Sequence, residues 1–218
     1  MVLSQYHKLQ YISQGETQKL QVRNISEALR AGCKWIQLRF KNADPEQVIE
    51  LAQLIKPMCA RYNAVLIIND YPNIAKMVDA DGVHLGLDDL DVKQAREIVG
   101  ANKIIGGTAN TICDVEQRIA EGCNYIGLGP LRFTPTKVKL SPVLGFEGYK
   151  TITSQLKKKN LYLPIYAIGG ITTDDLPALV ESGIYGVAVS GIISQQDNKT
   201  QLITQFNTAL YEDVNDSR

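Results

Sequence analysis

One unit recurs along this chain: a helical pattern ends at Gly or Asp-Gly, and a short apolar run follows almost at once. The unit occurs in residues 29–39, 77–86, 119–129 and 179–190. Glycine suits the left-handed backbone position that closes a helix, and an apolar run without alternation is typical of a strand covered on both faces. The repeat therefore indicates buried strands that alternate with helices.

Eight apolar runs can be counted along the whole chain, with helical patterns between them. The runs lie near residues 8–12, 34–39, 64–69, 82–85, 103–107, 124–128, 163–168 and 185–190, and the helical patterns near 22–31, 45–61, 72–79, 91–99, 111–121, 146–158, 173–181 and 199–211. Strict alternation predicts an α/β fold, a single (β/α)8 TIM barrel over residues 1–218, with an open doubly wound sheet as the alternative. Capping residues precede the second helix (44–45) and the seventh (172–175), and the polar tail 212–218 is expected to fray.

Composition excludes several kinds of partner. Hydrophobic residues make up 44% of the 218 residues and charged residues 21%, which are ordinary values for one globular domain. Lysine plus arginine equals aspartate plus glutamate at 23 each, so no large field of one sign would attract nucleic acid or an anionic membrane. The charge balance favours small-molecule substrates over such partners, and it leaves a homo-oligomer open.

Cysteine usage and hydropathy indicate the compartment. The four cysteines show no CxxC pair and no metal-ligand spacing with the two histidines, so we expect reduced and mostly buried thiols. No apolar run approaches the roughly 20 residues needed to span a bilayer, and no signal-peptide pattern is present. These patterns predict a cytoplasmic protein.

Polar residues follow the second predicted strand, where a TIM barrel builds its ligand site. Gln37, Arg39 and Lys41 share one face by period two, and Ile36 and Leu38 share the other. Because a buried guanidinium without an anionic partner is very costly, we expect Arg39 to meet either an internal carboxylate or the negative charge of a ligand.

Carboxylates follow the third and fourth predicted strands. The third strand ends in Asn69 and Asp70, and the fourth leads to Asp88 and Asp89. Such residues also serve as turns and helix caps, and a cap is the ordinary role for at least one aspartate of the second pair. Carboxylates from neighbouring strands could instead hold Mg²⁺, which commonly takes one or two of them together with phosphate oxygens. We expect His84 to pack inside the barrel rather than act in catalysis.

Two further groups of residues suit phosphate. The short apolar run at 124–128 opens into a loop with Thr134, Thr136 and Lys137, which offer two hydroxyls and an ammonium, although a plain surface turn has a similar composition. Thr108, after the fifth strand, adds another hydroxyl. Residues 169–170 (Gly-Gly) and 190–191 (Ser-Gly) follow the seventh and eighth strands, where this fold binds phosphate through backbone N–H groups. The strand ends therefore carry two anion-binding zones. The first combines two aspartates that could hold Mg²⁺ with Arg39, Lys41, Thr108 and Lys137, and the second is the cup formed by the glycine and serine segments. This pairing predicts chemistry that joins a pyrophosphorylated substrate to a phosphorylated one.

Together these motifs resemble the thiamin phosphate synthase family from about residue 9 to residue 206. The motifs that carry the resemblance are Gln37-Leu38-Arg39-Phe40-Lys41, Ile68-Asn69-Asp70, Gly82-Val83-His84-Leu85-Gly86 with Asp89, Thr134-Pro135-Thr136-Lys137 and Ile168-Gly169-Gly170-Ile171. The resemblance implies a transferase that moves the 4-amino-2-methylpyrimidinylmethyl group from its diphosphate to the nitrogen of a thiazole phosphate. Pyrophosphate would leave in a dissociative, Mg²⁺-assisted substitution.

The resemblance also implies a role for each part of the site. Mg²⁺ would be held by Asp70 and Asp89. The pyrimidine diphosphate would be held by Gln37, Arg39, Lys41, Asn69, Thr108 and Lys137, of which Arg39, Lys41 and Lys137 would stabilise the departing charge. The thiazole phosphate would lie with Thr134, Thr136, Gly170, Ser190 and Gly191.

The chain departs from the family pattern in four places. Phe40 stands where Glu is common, Tyr71 where Arg is common, and Thr108 where Ser is common, and the serine near residue 190 is shifted by one position. Thr keeps the hydroxyl, so that change is mild. Phe40 and Tyr71 replace side chains that are commonly charged in the family at the pyrimidine end.

Two other functions are compatible with this fold. A thiazole tautomerase would use a histidine after the fifth strand, where this chain has Asn110. A non-catalytic phosphate-ligand-binding barrel has no need for Asp70 and Asp89 beside the anion, so these carboxylates argue against it.

Overall fold

The protein is a closed barrel of eight parallel strands. A computed structural model describes residues 6–133 and 142–211. The strands pair in chain order, and the first also pairs with the last. Closure confirms the predicted (β/α)8 TIM barrel and excludes the open doubly wound sheet, because an open sheet would keep two unpaired edges.

The observed elements follow the predicted alternation. The strands are β1 (Leu9–Ile12), β2 (Trp35–Leu38), β3 (Val65–Asn69), β4 (Gly82–Leu85), β5 (Ile104–Ala109), β6 (Tyr125–Leu128), β7 (Ile165–Ile168) and β8 (Gly186–Val189). The helices are α1 (Gln18–Arg30), α2 (Pro45–Arg61), α3 (Pro72–Met77), α4 (Val92–Val99), α5 (Ile112–Glu121), α6 (Gly145–Lys158), α7 (Leu176–Glu181), α8 (Gly191–Ser194) and α9 (Lys199–Tyr211), with a 3-10 turn at Thr173–Asp175 before α7.

Capping residues set several helix boundaries. Helix α1 begins earlier than predicted because the Thr17 side chain caps it by accepting from Leu20 N–H at 3.2 Å. Asp44 and Gln47 form a capping box at the start of α2, as the Asp-Pro pair indicated. The cap of α4 is Asp91, so the expectation that one of the preceding two aspartates would cap this helix is wrong.

Side chains inside the barrel form an aromatic core below the mouth. Trp35, Tyr125 and Tyr166 are fully buried there with Tyr6 and Ile67, and the Trp35 and Tyr125 rings meet edge to face with centroids 5.4 Å apart. The alternate strand residues belong to the larger core between the strands and the helices. Period-two alternation therefore separates an outer apolar core from an interior whose upper layer is open to polar side chains.

Two strand glycines make room for large interior side chains. A Cβ atom on Gly106 would lie 2.1 Å from the Tyr125 ring, and one on Gly127 would lie 3.2 Å from the His84 ring. Any larger residue at position 106 would therefore displace Tyr125. The interior at β4 to β6 is shaped around one tyrosine and one histidine.

The predictions for the thiols hold. Cys33, Cys59 and Cys123 are buried, Cys113 is exposed, and all four are free. Within residues 6–133 and 142–211, no helix combines the length and the apolar character that crossing a membrane would require.

Candidate active site

A row of polar side chains begins at the carboxyl ends of β2 and β3. Gln37 lies on the same face of β2 as the interior Trp35, and its Nε2 donates to Asn69 Oδ1 at 2.6 Å. Gln37 is only 2% exposed, and no hydrogen bond reaches its Oε1 within the part of the chain that the structure describes. A buried acceptor left unsatisfied costs about 1–3 kcal/mol, so a ligand donor at this point would be stabilising.

Two carboxylates continue the row at the ends of β3 and β4. Asp70 has a φ of 67°, and its backbone N–H donates to the His84 carbonyl at 2.8 Å. The loop after β4 turns back so that Gly86 N–H donates to Asp89 Oδ2 at 2.6 Å. Burial, a hydrogen bond with Asp89 and the charge of Asp89 together raise the pKa of Asp70 to about 7. The structure thus brings together the two aspartates that the sequence predicted as metal ligands.

Arg39 lies beside this carboxylate pair. Its charge favours the ionised form of Asp70, which opposes the larger effects of burial and Asp89 on the Asp70 pKa. The Arg39 backbone is fixed by Ser13 Oγ at 2.9 Å and by Gln21 Nε2 at 3.1 Å. Among residues 6–133 and 142–211 its guanidinium forms no salt bridge. Arg39 was predicted to meet either an internal carboxylate or the negative charge of a ligand. The internal carboxylate, Asp70, interacts with Arg39 only at longer range, so the ligand is the favoured partner of the guanidinium.

A chain of hydrogen bonds crosses the barrel below the mouth. Gln10 Nε2 donates to the Tyr125 hydroxyl at 3.2 Å, and that hydroxyl lies 3.0 Å from His84 Nδ1. The other ring nitrogen of His84, Nε2, lies 3.0 Å from Thr108 Oγ1. His84 is buried inside the barrel, as predicted, and in addition it contacts a predicted site residue. This series of hydrogen bonds therefore orients the Thr108 hydroxyl from below the mouth of the barrel.

Arg118 was not predicted to contribute to this region. It extends from α5 and donates through Nη2 to the Gly86 carbonyl at 2.7 Å and through Nε to the Thr108 carbonyl at 3.3 Å. Its charge is balanced by Glu121, with Nη1 and Oε2 2.9 Å apart, and the side chain is nearly buried. One arginine thus joins the Asp89 loop to the end of β5.

The second zone lies at the ends of β7 and β8, which are neighbours in the barrel. Gly169 and Gly170 have φ values of 91° and 71°, a left-handed conformation that residues with a side chain rarely adopt. Ser190 and Gly191 stand at the start of the short helix α8 and are half-buried. The paired glycine and serine segments predicted from the sequence therefore adjoin each other.

An ion pair that the sequence analysis missed lies beside these glycines. Arg132, in the loop after β6, holds Asp175 through a fork in which Nη1 is 2.6 Å from Oδ2 and Nη2 is 2.7 Å from Oδ1. Asp175 also accepts from the Thr172 N–H at 2.7 Å. Asp175 could be predicted only as a helix cap, because its partner lies 43 residues away along the chain.

The remaining predicted site residues lie in different surroundings. Thr134, Thr136 and Lys137 lie outside the described residues. Lys41 is exposed just beyond β2. Phe40 packs against the outer core, on the side of β2 away from Gln37. Within residues 6–133 and 142–211 no group of three or more His, Cys, Asp or Glu side chains could hold a metal, so Asp70 and Asp89 stand as a pair.

The closed barrel, with acidic and cationic side chains gathered at the strand ends, defines the class as a TIM-barrel enzyme. A family model described as thiamine monophosphate synthase matches residues 9–193. The chain is 57% identical over 205 residues to the thiamine-phosphate synthase of Flavobacterium psychrophilum, covering 94% of this chain and all of that protein. It is 56% identical over 209 residues to the same enzyme of Flavobacterium johnsoniae, covering 96% and 99% of the two chains.

A solved structure shows the same likeness. The thiamine phosphate pyrophosphorylase from Pyrococcus furiosus superposes with a TM-score of 0.81 at 28% identity, covering 94% of this chain and 96% of that chain. The chain belongs to the thiamine monophosphate synthase family. It is a transferase of thiamine biosynthesis.

Proposed function

We propose that this enzyme joins 4-amino-2-methyl-5-pyrimidinylmethyl diphosphate to 4-methyl-5-(2-phosphoethyl)thiazole, giving thiamin monophosphate and pyrophosphate. The observation that carries the proposal is the continuous polar row of Gln37, Asn69, Asp70 and Asp89 across the ends of three neighbouring strands. At one end of the row, the Gln37 amide can bind a heterocycle. At the other end, Asp70 and Asp89 provide carboxylates.

The pyrimidine end would be recognised by Gln37. Its Nε2 is committed to Asn69, and its buried Oε1 is an acceptor with no hydrogen bond from the residues that the structure describes. An aminopyrimidine carries an exocyclic N–H donor that could satisfy this oxygen. A site built around one unsatisfied polar atom discriminates strongly against ligands that lack the matching group.

The diphosphate end requires positive charge and hydroxyl donors. Loss of pyrophosphate leaves a pyrimidinylmethyl cation that its amino group stabilises, so the main task of the enzyme is to stabilise the departing negative charge. Arg39, Lys41 and Lys137 would supply charge, and Thr108 would supply a hydroxyl. The thiazole nitrogen is already a nucleophile, so the reaction needs no general base. Alignment of the two substrates supplies the rest.

Mg²⁺ fits the pair formed by Asp70 and Asp89. Both are oxygen donors of the kind that Mg²⁺ takes, one or two per site with phosphate oxygens and water completing the shell. Burial raises the pKa of Asp70 most, and the hydrogen bond with Asp89 and its charge add to the effect; a divalent cation would favour the ionised form of both carboxylates. When bound, the ion would neutralise charge on the leaving diphosphate.

The thiazole phosphate would occupy the second zone, with Gly170, Ser190 and Gly191. Thr134 and Thr136 keep the same assignment from the family resemblance. A cytoplasmic location is likewise a prediction from the sequence.

The tautomerase alternative is disfavoured at Asn110. This residue holds the place where such an enzyme would have a histidine, and its Nδ2 donates to the Gly129 carbonyl. A neutral amide bound to a carbonyl cannot exchange protons with a substrate near neutral pH. The non-catalytic alternative has no use for the carboxylate pair, whose mutual repulsion costs stability.

The decisive test mixes the purified protein with both substrates and Mg²⁺ and follows pyrophosphate release together with the mass of the product. We expect equal amounts of pyrophosphate and thiamin monophosphate, lost on addition of a chelator and lost in Asp70→Asn. The matched control is Asp91→Asn, which changes a nearby helix cap to another good cap. Isomerised thiazole without pyrophosphate would support the tautomerase, and binding without turnover would support the non-catalytic barrel.

A further inference from the structure

The ion pair of Arg132 and Asp175 joins two loops of the mouth through a buried carboxylate. Asp175 is 6% exposed and accepts both guanidinium donors, the Thr172 N–H and, at 3.0 Å, the Thr172 hydroxyl. A bidentate arginine fork fixes direction as well as distance. Because its charge is balanced by Asp175, Arg132 is suited to orienting neighbouring groups rather than to binding an anion itself.

The loop that carries Arg132 also holds three successive backbone carbonyls, which begin at the last residue of β7. Leu131 N–H donates to the Ile168 carbonyl at 2.8 Å, and Arg132 N–H donates to the Gly169 carbonyl at 3.2 Å. The Arg132 side chain then donates through Nη1 to the Gly170 carbonyl. The Arg132 guanidinium that binds Asp175 therefore also fixes the Gly170 carbonyl, the last of the three.

Fixing these carbonyls determines where the backbone donors point. In a trans peptide the carbonyl and the N–H of the next residue point in opposite directions. With the carbonyls of residues 168–170 turned toward residues 131 and 132, the N–H groups of residues 169–171 face away from this loop. Successive backbone N–H groups that face one side of a turn form a concave site for anions, and both glycines of this turn have a positive φ.

We propose that Arg132 and Asp175 are a positioning pair that shapes the phosphate cup for the phosphorylated acceptor substrate. This inference rests on the proposed function, in which Gly170 binds the thiazole phosphate. The pair acts through the backbone and does not touch the substrate. It therefore sets how well the phosphate is recognised and leaves the chemistry at the diphosphate unchanged.

The test compares Arg132→Lys and Asp175→Asn with the wild type, using the thiazole phosphate and the thiazole alcohol that lacks the phosphate. We expect KM for the thiazole phosphate to rise about tenfold, the effect of weakening about one hydrogen bond to the phosphate. We expect kcat, KM for the pyrimidine diphosphate and activity with the alcohol to stay within twofold. The control is Lys159→Met, which removes an ion pair with Glu116 elsewhere on the surface.

Two outcomes would overturn the pair's role. Equal losses with the phosphate and the alcohol, or a lower Tm with unchanged KM, would make it a structural salt bridge only. A second measurement is independent of turnover: inorganic phosphate should shift the backbone amide resonances of residues 169–171 in the wild type and much less in Arg132→Lys. If the wild type shows these shifts but forms no coupled product, the proposed function fails and the positioning pair stands.

Discussion

The Nε2 atom of Gln37 lies 2.6 Å from Oδ1 of Asn69, and this bond leaves the one side-chain oxygen of the glutamine, Oε1, buried and unsatisfied within the described residues. Asn69 in turn donates to the carboxylate of Asp70. The pyrimidine end and the metal end of the proposed site are thus parts of one hydrogen-bonded row. A substitution at one end of this row should therefore alter ligand binding at the other end.

The first prediction concerns Gln37→Glu. The variant keeps the shape but loses the donor to Asn69 and places a second negative charge near Asp70. We expect KM for the pyrimidine diphosphate to rise roughly 10–100-fold, the value of a buried hydrogen bond to a charged or unsatisfied group. Steady-state kinetics will measure this, with Gln94→Glu on the exposed surface of α4 as the control. An unchanged KM would remove Gln37 from the site.

The second prediction concerns Asp70→Asn, in which stability and activity should respond in opposite directions. Asparagine tolerates the left-handed backbone at this position, and loss of the charge relieves repulsion from Asp89. We expect Tm to rise or hold while kcat falls on the order of 100–1000-fold, as when a stabiliser of developing charge is removed. Near-normal turnover would contradict the metal assignment. Asp70→Ala is a poorer test because alanine strains the left-handed backbone.

The third prediction concerns Tyr125→Phe, which removes the hydroxyl between Gln10 and His84. Without it, His84 loses the partner that orients its ring toward Thr108. We expect kcat/KM for the pyrimidine diphosphate to fall about tenfold, the value of one hydrogen bond of about 1.4 kcal/mol. Thr108→Val should cause a similar loss. If both act through one relay, the double variant will lose less than the product of the single losses, whereas fully multiplicative losses would mean that the relay is absent.

The fourth prediction concerns the pH dependence of stability. The hydrogen bond from Arg132, supported by Thr172, holds the pKa of Asp175 below its ordinary value. Because the folded pKa is the lower one, the ionised carboxylate stabilises the fold above the unfolded pKa of about 3.9, and the effect is lost as pH falls through the folded pKa. The free energy of unfolding of the wild type should therefore exceed that of Asp175→Asn by a constant amount near neutral pH, and the difference should shrink below about pH 4.

Urea denaturation at a series of pH values will measure this difference. Asp174→Asn, which changes the exposed neighbour, is the matched control. A difference between wild type and Asp175→Asn that stays the same down to pH 3 would show that the ionised form of Asp175 does not stabilise the fold.

Local patterns were sufficient for the architecture. Buried apolar runs and the helix ends that precede them are short-range features, so all eight strands and the long helices lie within a few residues of their predicted positions. Helix α2 was predicted without error because Asp44 and Pro45 mark its start by direct contacts. The four-residue α8 was missed, since one helical turn carries no periodicity to detect.

The site was predictable where strand alternation decides it and unpredictable where contacts cross the barrel. Period two placed Gln37 on the inner face, and parallel neighbours brought Asp70 toward Asp89, so these positions followed from the sequence itself. The links of Arg118 to Gly86 and of Arg132 to Asp175 span 32 and 43 residues. Such pairs leave no local pattern, because an arginine or a capping aspartate looks the same in sequence whether its partner is water or a distant loop. Only closure of the barrel, which brings separate loops to one mouth, decided what these side chains bind.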